Sequence, residues 1–394
     1  MTIRHHPRAL AALVGALITV QAFSSAACGT AADAKLGVKG RGFVDASGKP
    51  FTWLGITAFA LLDQVADGRE QDAVAFLRWA RGRGFTLVRV LGMAHNLFEL
   101  SPEAGVRALP RLLELTEAEG LALELVLFAD TRRFPGLDYQ AHVAAVARAA
   151  GGARNLVLEL ANENSHHTQD PRLADPAFLA GLRERLPKAF AVSMGSLHGG
   201  DVAIDRYPGG DYVTLHVGRS GQPWDNVTRV AEVAALSERF GLPIVSDEPI
   251  GAGERDEPGR RLSDPAVFFG LGVLGRMAAV PTTFHCEDCL YARPPGKTQD
   301  ASATAFIEGS RLLPGSLGLS LHGRHSKADG GPLSRSPVQG VRSLHVAIDS
   351  TGSEVFVAAV GVSPGAAIAW RDGWSIERLG GREGISLFEA SARR

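Results

Sequence analysis

The chain has 394 residues, with 41 Lys and Arg against 42 Asp and Glu, for a formal net charge of −1. So even a balance gives no electrostatic reason to expect nucleic acid or an anionic membrane as a partner. Hydrophobic residues make up 45%, ordinary for a packed protein long enough for one large domain and a small one, while aromatics at 7% limit how many side chains can stack on a ligand.

Residues 1–34 read as a targeting segment. Arg4 and Arg8 precede an apolar stretch from Ala9 to Phe23, which ends in Ser24-Ser25-Ala26-Ala27. This is the layout of a secretory signal peptide, and the run is shorter than the roughly 20 apolar residues of a membrane span. Cleavage is expected after Ala27 or Ala34. The first option leaves Cys28 at the new N-terminus, where a lipid anchor would attach, although Ser25 stands where a lipobox usually has Leu. Export places the remaining cysteines, Cys286 and Cys289, in an oxidising compartment, so this Cys-x-x-Cys pair is a disulfide candidate.

A small β-hairpin is expected over residues 40–51, turning at Ser47-Gly48. Strands and helices then alternate. Apolar strand-like runs lie at 52–56, 87–91, 121–128, 155–161, 189–194, 212–217, 244–246 and 281–285. Amphipathic stretches between them lie at 71–81, 105–119, 139–149, 176–185, 226–239 and 265–277, with a last helix at 302–312. Only the segment between the fifth and sixth strands lacks a convincing helix. Eight continuous apolar strands with intervening helices predict an α/β fold, a (β/α)8 barrel over residues 37–312. An open doubly wound sheet has no Gly-x-Gly-x-x-Gly turn after the first strand to support it. Residues 313–336, dense in Gly, Ser and Pro, read as a linker. Residues 337–394 read as a small antiparallel β-domain with strands at 343–348, 354–360, 366–371, 374–379 and 385–390, in which Trp370 and Trp374 are core or interdomain residues.

Two of the barrel strands end in a glutamate. Leu156–Ala161 runs into Asn162-Glu163, and Ile244-Val245-Ser246-Asp247 runs into Glu248 before Pro249. In a parallel barrel both carboxyl groups open onto the C-terminal face, where such barrels do their chemistry. Two facing carboxyls are the minimal equipment for breaking a glycosidic bond. Asp247 competes with Glu248, since neighbouring strand residues point to opposite sides. Glu159, mid-strand, reads as a barrel ion-pair partner.

The sequence resembles a glycoside hydrolase of clan GH-A, the clan of the family 5 cellulase-like enzymes, over about residues 37–312. Gly42-Phe43-Val44-Asp45, Gly48-Lys49-Pro50-Phe51 and Leu54-Gly55 resemble the lead-in to the first strand. Gly84-Phe85-Thr86-Leu87-Val88-Arg89-Val90 resembles the second strand with its arginine, Asn162-Glu163 the fourth-strand pair, and Glu248 the seventh-strand glutamate. The resemblance implies a retaining mechanism without a cofactor on an oligo- or polysaccharide. Glu163 would be the general acid/base and Glu248 the nucleophile. Asn162 would hydrogen-bond the sugar 2-hydroxyl, and Arg89 would hold the nucleophile ionised and oriented.

His95, His198, His216 and His285 follow or end the second, fifth, sixth and eighth strands and are candidate hydroxyl-binding residues of the cleft. Two departures from family 5 stand out. Gly218-Arg219 follows His216 where a Tyr is common, and Phe284-His285-Cys286 stands where the eighth strand often ends in a stacking Trp. Trp224 is the candidate replacement platform, with Trp53 and Trp79 assigned to the core. Two other classes compete. His285, Cys286 and Cys289, with a distant His198, would suit zinc in a metal-dependent hydrolase. A non-catalytic carbohydrate-binding barrel would not need both glutamates. A serine hydrolase has no support, because Met194-Gly195-Ser196-Leu197-His198 lacks the second glycine of a nucleophile elbow.

Overall fold

A computed structural model describes residues 35–195, 197, 209–216, 222–253, 263–313, 320–321, 332–333, 340–348 and 354–393. The expected signal segment and Cys28, His198, the Gly218-Arg219 step and most of the expected linker lie outside these residues.

The chain enters as a three-stranded antiparallel sheet, β1 (Gly37–Lys39), β2 (Gly42–Val44) and β3 (Pro50–Phe51). Its side chains plug the N-terminal end of a barrel. Phe43 packs on Trp53 at 4.7 Å and on Tyr212 at 5.4 Å between ring centres. Leu87, Ala122, Val157, Ala191 and Val245 complete this apolar floor.

All eight expected barrel strands form: β4 (Leu54–Thr57), β5 (Leu87–Leu91), β6 (Ala122–Phe128), β7 (Leu156–Ala161), β8 (Val192–Ser193), β9 (Val213–His216), β10 (Ile244–Ala252) and β11 (Thr282–Cys286). Each pairs in parallel with its neighbour, and β11 returns to β4. A parallel bridge between Ser193 and Tyr212 joins β8 to β9 and closes the ring. The strands read as apolar runs because helices cover their outer faces.

The expected helices form, and α1 and α9 were not expected: α1 (Leu61–Ala66), α2 (Glu70–Arg83), α3 (Pro102–Ala118), α4 (Tyr139–Ala150), α5 (Pro176–Arg183), α6 (Pro223–Thr228), α7 (Val230–Phe240), α8 (Pro265–Met277), α9 (Glu287–Leu290) and α10 (Lys297–Arg311). Asp138, Asp175 and Asp264 cap α4, α5 and α8 by accepting from amides of the first turn. The single helix expected over 226–239 is two. Thr228 Oγ1 donates back to the Asp225 carbonyl at 2.8 Å, a bond that competes with the helical ladder. Gly272 of α8 and Gly309 of α10 let those helices touch backbone to backbone, since a Cβ at either would lie 2.1–2.2 Å from a carbonyl oxygen of the other.

The C-terminal sheet is antiparallel, in the order β12 (Ser320–Leu321), β13 (Ser343–Ile348), β14 (Val355–Val362), β16 (Gly384–Ala392) and β15 (Trp374–Arg382). One face carries Phe356, Ala358, Val360, Ile385 and Leu387 into the barrel's outer core beside Phe268 and Phe269 of α8. The other face holds Leu344, Val346, Val357 and Ala390 with Trp370 and Trp374 packed on them. The expected strand at 366–371 is not one. Among the described residues Trp370 makes an isolated bridge to Leu333 and the segment joins no longer ladder.

Candidate active site

On a barrel strand every second side chain faces the axis. Above the apolar floor, the next inward positions are Arg89, Glu124, Glu159, Thr214 and Asp247. Arg89 is fully buried. Its Nη1 donates to Glu248 Oε1 at 2.8 Å, and its Nη2 to Glu159 Oε2 at 2.7 Å and Asn162 Oδ1 at 2.9 Å. His216 Nε2 lies 3.3 Å from the same Nη2. Arg89 Nε sits 3.4 Å from Asp247 Oδ2 and 3.6 Å from Glu124 Oε2. Glu159 is thus the barrel ion-pair partner expected of it, and its other oxygen accepts from Thr214 Oγ1 at 2.8 Å.

One guanidinium therefore serves four carboxyl groups out of water. Full ionisation would leave uncompensated buried charge, which proteins avoid by protonating groups instead. Burial, reinforced by Asp247 and Glu159, pushes Glu124 well above the usual carboxylate range. Burial also raises Asp247 to about 6, against the opposite pull of Arg89. Tyr212 Oη lies 2.9 Å from Glu124 Oε1 and 3.0 Å from the Leu158 carbonyl. A protonated Glu124 can donate to the phenol while the phenol donates to that carbonyl. Burial works against the Arg89 cation, but Glu159, Asp247, Glu248 and Glu124 outweigh it and hold the charge.

Strict alternation would aim only one of Asp247 and Glu248 at the axis. Both reach Arg89, because β10 is irregular there. Its register against β11 shifts between Asp247 and Gly251, and Glu248 adopts the left-handed φ of +48°. Such a bulge re-aims a side chain. Glu163, two residues beyond the end of β7, is also left-handed at φ +43°, as is Asp130 beyond β6 at +51°. Non-glycine residues hold this conformation at a cost of order 1–3 kcal/mol, and such strain gathers at functional sites.

The structure brings Arg89, Asn162, His216, Glu248 and His285 together. His285 Nδ1 lies 3.7 Å from Glu248 Oε2 and 3.1 Å from Thr57 Oγ1. Glu163 follows Asn162 at the same mouth, half-buried, its carbonyl accepting from His166 N at 2.7 Å. His95 follows β5 at the same end of the barrel. Its amide donates to Asp130 Oδ2 at 3.1 Å and its ring lies edge-on to Phe134.

Trp224 is not a platform at this mouth. It sits on α6 with its ring against Gly270 of α8 and Gly384 of β16, where a Cβ would come within 2.8 Å and 2.5 Å of the indole. It fills the junction between barrel and C-terminal sheet. Trp53 is buried and Trp79 half-buried, its Nε1 bonded to Asp300 at 2.9 Å, so both belong to the scaffold. The zinc reading also fails on geometry. Cys286 and Cys289 are bonded to each other, so neither offers a thiolate, and the His285 ring faces Thr57 and Glu248.

Among the described residues, one trio could chelate a cation. Donor atoms of Glu159, His216 and Asp247 lie within 4.8 Å of one another. The Arg89 guanidinium already touches all three, and a metal would have to displace it.

Sequence reasoning passed over Glu124, Tyr212 and Asp130. The signal for Glu124 was present: a lone charge at an inward position of an apolar strand, beside strands carrying Arg89 and Glu159 in the same way.

No family model matches the chain, and no curated relative does. Solved structures do. A family 5 glycoside hydrolase from Bacteroides vulgatus superposes with a TM-score of 0.63 at 11% identity, covering 91% of this chain and 94% of its own. The fold is that of the family 5 glycoside hydrolases. A family 5 mannosidase from Rhizomucor miehei gives a TM-score of 0.51 at 12% identity, covering 72% of this chain and all of its own. A β-glucanase from Saccharophagus degradans, solved with cellotetraose, gives 0.52 at 12% identity, covering 70% and 93%. Glu163 follows strand β7 and Glu248 lies at the bulge of β10, at the C-terminal end of this barrel.

Proposed function

We propose that the protein is an exported glycoside hydrolase that cleaves a β-linked glycan with retention, using Glu163 and Glu248. The observation that carries the reading is the Arg89–Glu248 ion pair at the mouth of a family 5-type barrel. It orients a carboxylate at the strand end, on the rim that also bears the Asn162-Glu163 step.

Glu248 attacks the anomeric carbon while Glu163 donates a proton to the departing glycosidic oxygen. The products of this step are a glycosyl ester on Glu248 and a free alcohol. Glu163, now a carboxylate, takes a proton from water, the hydroxide adds to the anomeric carbon, and Glu248 leaves as a carboxylate. Arg89 orients the Glu248 carboxylate before attack and faces its charge again on departure. Asn162, held by Arg89, is placed to hydrogen-bond the sugar 2-hydroxyl. His216 and His285 flank the nucleophile as hydroxyl-binding groups.

Proton NMR of the first seconds of hydrolysis tests the stereochemistry. Initial release of the β anomer supports double displacement, and initial release of the α anomer contradicts it. For export, N-terminal sequencing of protein expressed with its full leader in bacteria should begin at Cys28 or Lys35. Retention of Met1 would contradict it. Among the described residues no helix is long and apolar enough to cross a membrane.

A further inference from the structure

A hollow of about 580 Å3 is lined by Asn96, Arg132, Arg133, His166, His167 and Thr168, the histidine pair following Glu163 on the same loop. Its wall comes from the three loops that follow β5, β6 and β7, so it opens on the same end of the barrel as the two glutamates. Its size falls in the range of small-molecule sites. Beside the hydroxyl-binding types Asn96, His166, His167 and Thr168 it carries two arginines. No Trp, Tyr or Phe lines it, and neither does any carboxylate among the described residues.

Arg132 and Arg133, both exposed, are among its lining residues. Arg132 Nε donates to the Gln169 carbonyl at 2.8 Å. Neither Arg132 nor Arg133 has a carboxylate partner among the described residues, whereas nearby Arg172 pairs with Asp170 at 2.7 Å. Asp130, the acid closest in the chain, is bound by Asn96 and Thr168 of the hollow's wall and pairs with neither arginine. Burial would raise it, but the amides of Asn96 and His95 outweigh burial and hold it below its ordinary range. Its oxygens take those amides at 3.0 and 3.1 Å and Asn96 Nδ2 at 2.6 Å.

The hollow is also built rigidly. Gln169, only 2% exposed, accepts from Thr131 Oγ1 at 3.0 Å and donates through Nε2 to the carbonyls of Phe128 at 3.1 Å and Asn162 at 2.5 Å. Arg132 N donates to the Thr168 carbonyl at 3.0 Å, and Asp170 N to Thr131 Oγ1 at 2.7 Å. One buried glutamine thus ties the arginine-bearing loop to the backbone of the Asn162-Glu163 step. His166, whose ring lies 4.2 Å from that of His167, bonds the Glu163 carbonyl. Arginine side chains carried on such a loop recognise carboxylate and sulfate groups.

We infer that this hollow is a subsite for a negatively charged sugar unit, a uronate or a sulfate ester, walled in part by the loop of the residue that protonates the leaving group. The inference rests on the glycosidase reading and narrows its substrate to an acidic glycan. Titration calorimetry on the full chain tests it with three short β-linked oligosaccharides of one length: neutral, uronate-bearing and sulfated. At 50 mM salt a charged ligand should bind at least about tenfold tighter than the neutral one. The advantage should shrink at 500 mM salt, vanish in the Arg132→Gln, Arg133→Gln double variant, and persist in the Lys, Lys variant. Preference for the uronate identifies the bidentate carboxylate source, and preference for the sulfated ligand the other. Equal affinity for neutral and charged ligands, or a charge preference that survives the Gln, Gln variant, overturns the subsite alone while cleavage of neutral glycans still stands. Absence of binding to all three, with no cleavage of any glycan, overturns both.

Discussion

Arg89 Nη1 donates to Glu248 Oε1 at 2.8 Å, while Nη2 of the same group binds Glu159 at 2.7 Å. The candidate nucleophile is therefore held by a cation that is itself held from below. Glu159, Asp247 and Glu124 never meet the mouth, yet they fix where Arg89 can stand. A fork between two carboxylates also orients both, which a lysine ammonium cannot do in the same way.

Replacing Arg89 should damage stability and catalysis together. Arg89→Met leaves buried carboxyls without their cation and should lower unfolding free energy by about 3–5 kcal/mol. Arg89→Lys should fold better but misplace Glu248, with kcat down by roughly 100-fold. Urea unfolding beside steady-state rates checks both. A stable Arg89→Met variant of normal activity would contradict this assignment.

Asp247 predicts a pH signature. Its carboxyl moves from the ordinary 3.8 to about 6 on folding, chiefly through burial. The folded state thus holds the proton more tightly than the unfolded chain. The stability this gives is complete below about pH 4 and is lost as pH rises through about 6, a change on the order of 2–3 kcal/mol. Asp247→Asn should flatten that decline. Urea midpoints at pH 4, 5, 6 and 7 for both proteins test it, and parallel curves would count against the assignment.

Trp224→Ala should act on the scaffold. The indole lies against Gly270 and Gly384, so removing it opens a cavity between α8 and β16. A loss of about 2–4 kcal/mol is expected, with kcat per folded molecule unchanged. A selective loss of substrate affinity at unchanged stability would restore Trp224 to the cleft.

Cys286 and Cys289 should behave as a closed pair. Unfolded without reductant, the protein should show no reactive thiol at either position and no bound zinc. Because the bridge closes a very short loop, its removal should cost only about 2 kcal/mol. Two titratable thiols with equimolar zinc would revive the metal reading.

Most of the scaffold was legible in the sequence. Buried parallel strands are continuous apolar runs, and Leu156–Ala161 or Leu87–Leu91 can hardly be read otherwise. Glu163 and Glu248 stood out because the strands break from apolar to polar at their ends, while Arg89, in mid-strand, and Asn162 stood out only through the family resemblance. The bulge at Glu248 was not legible, since alternation is a rule for regular strands and says nothing of where one stops being regular. Trp224 misled for a related reason. A tryptophan after the sixth strand reads the same whether it faces a cleft or a neighbouring sheet, and that choice is made by Gly270 and Gly384, far away in the chain. The Arg132–Arg133 hollow was equally hidden, since its walls come from three loops stitched by Gln169.

The most direct test is reducing-sugar release from β-glucans, mannans, xylans, galactans and acidic β-glycans. Wild type would be run beside Glu163→Ala and Glu248→Ala, with folding checked by circular dichroism. Release by the wild type from at least one glycan is expected, with a loss of at least about 1,000-fold in each variant. Folded wild type that releases nothing from any glycan, or release that survives Glu248→Ala, would contradict the two-glutamate glycosidase reading.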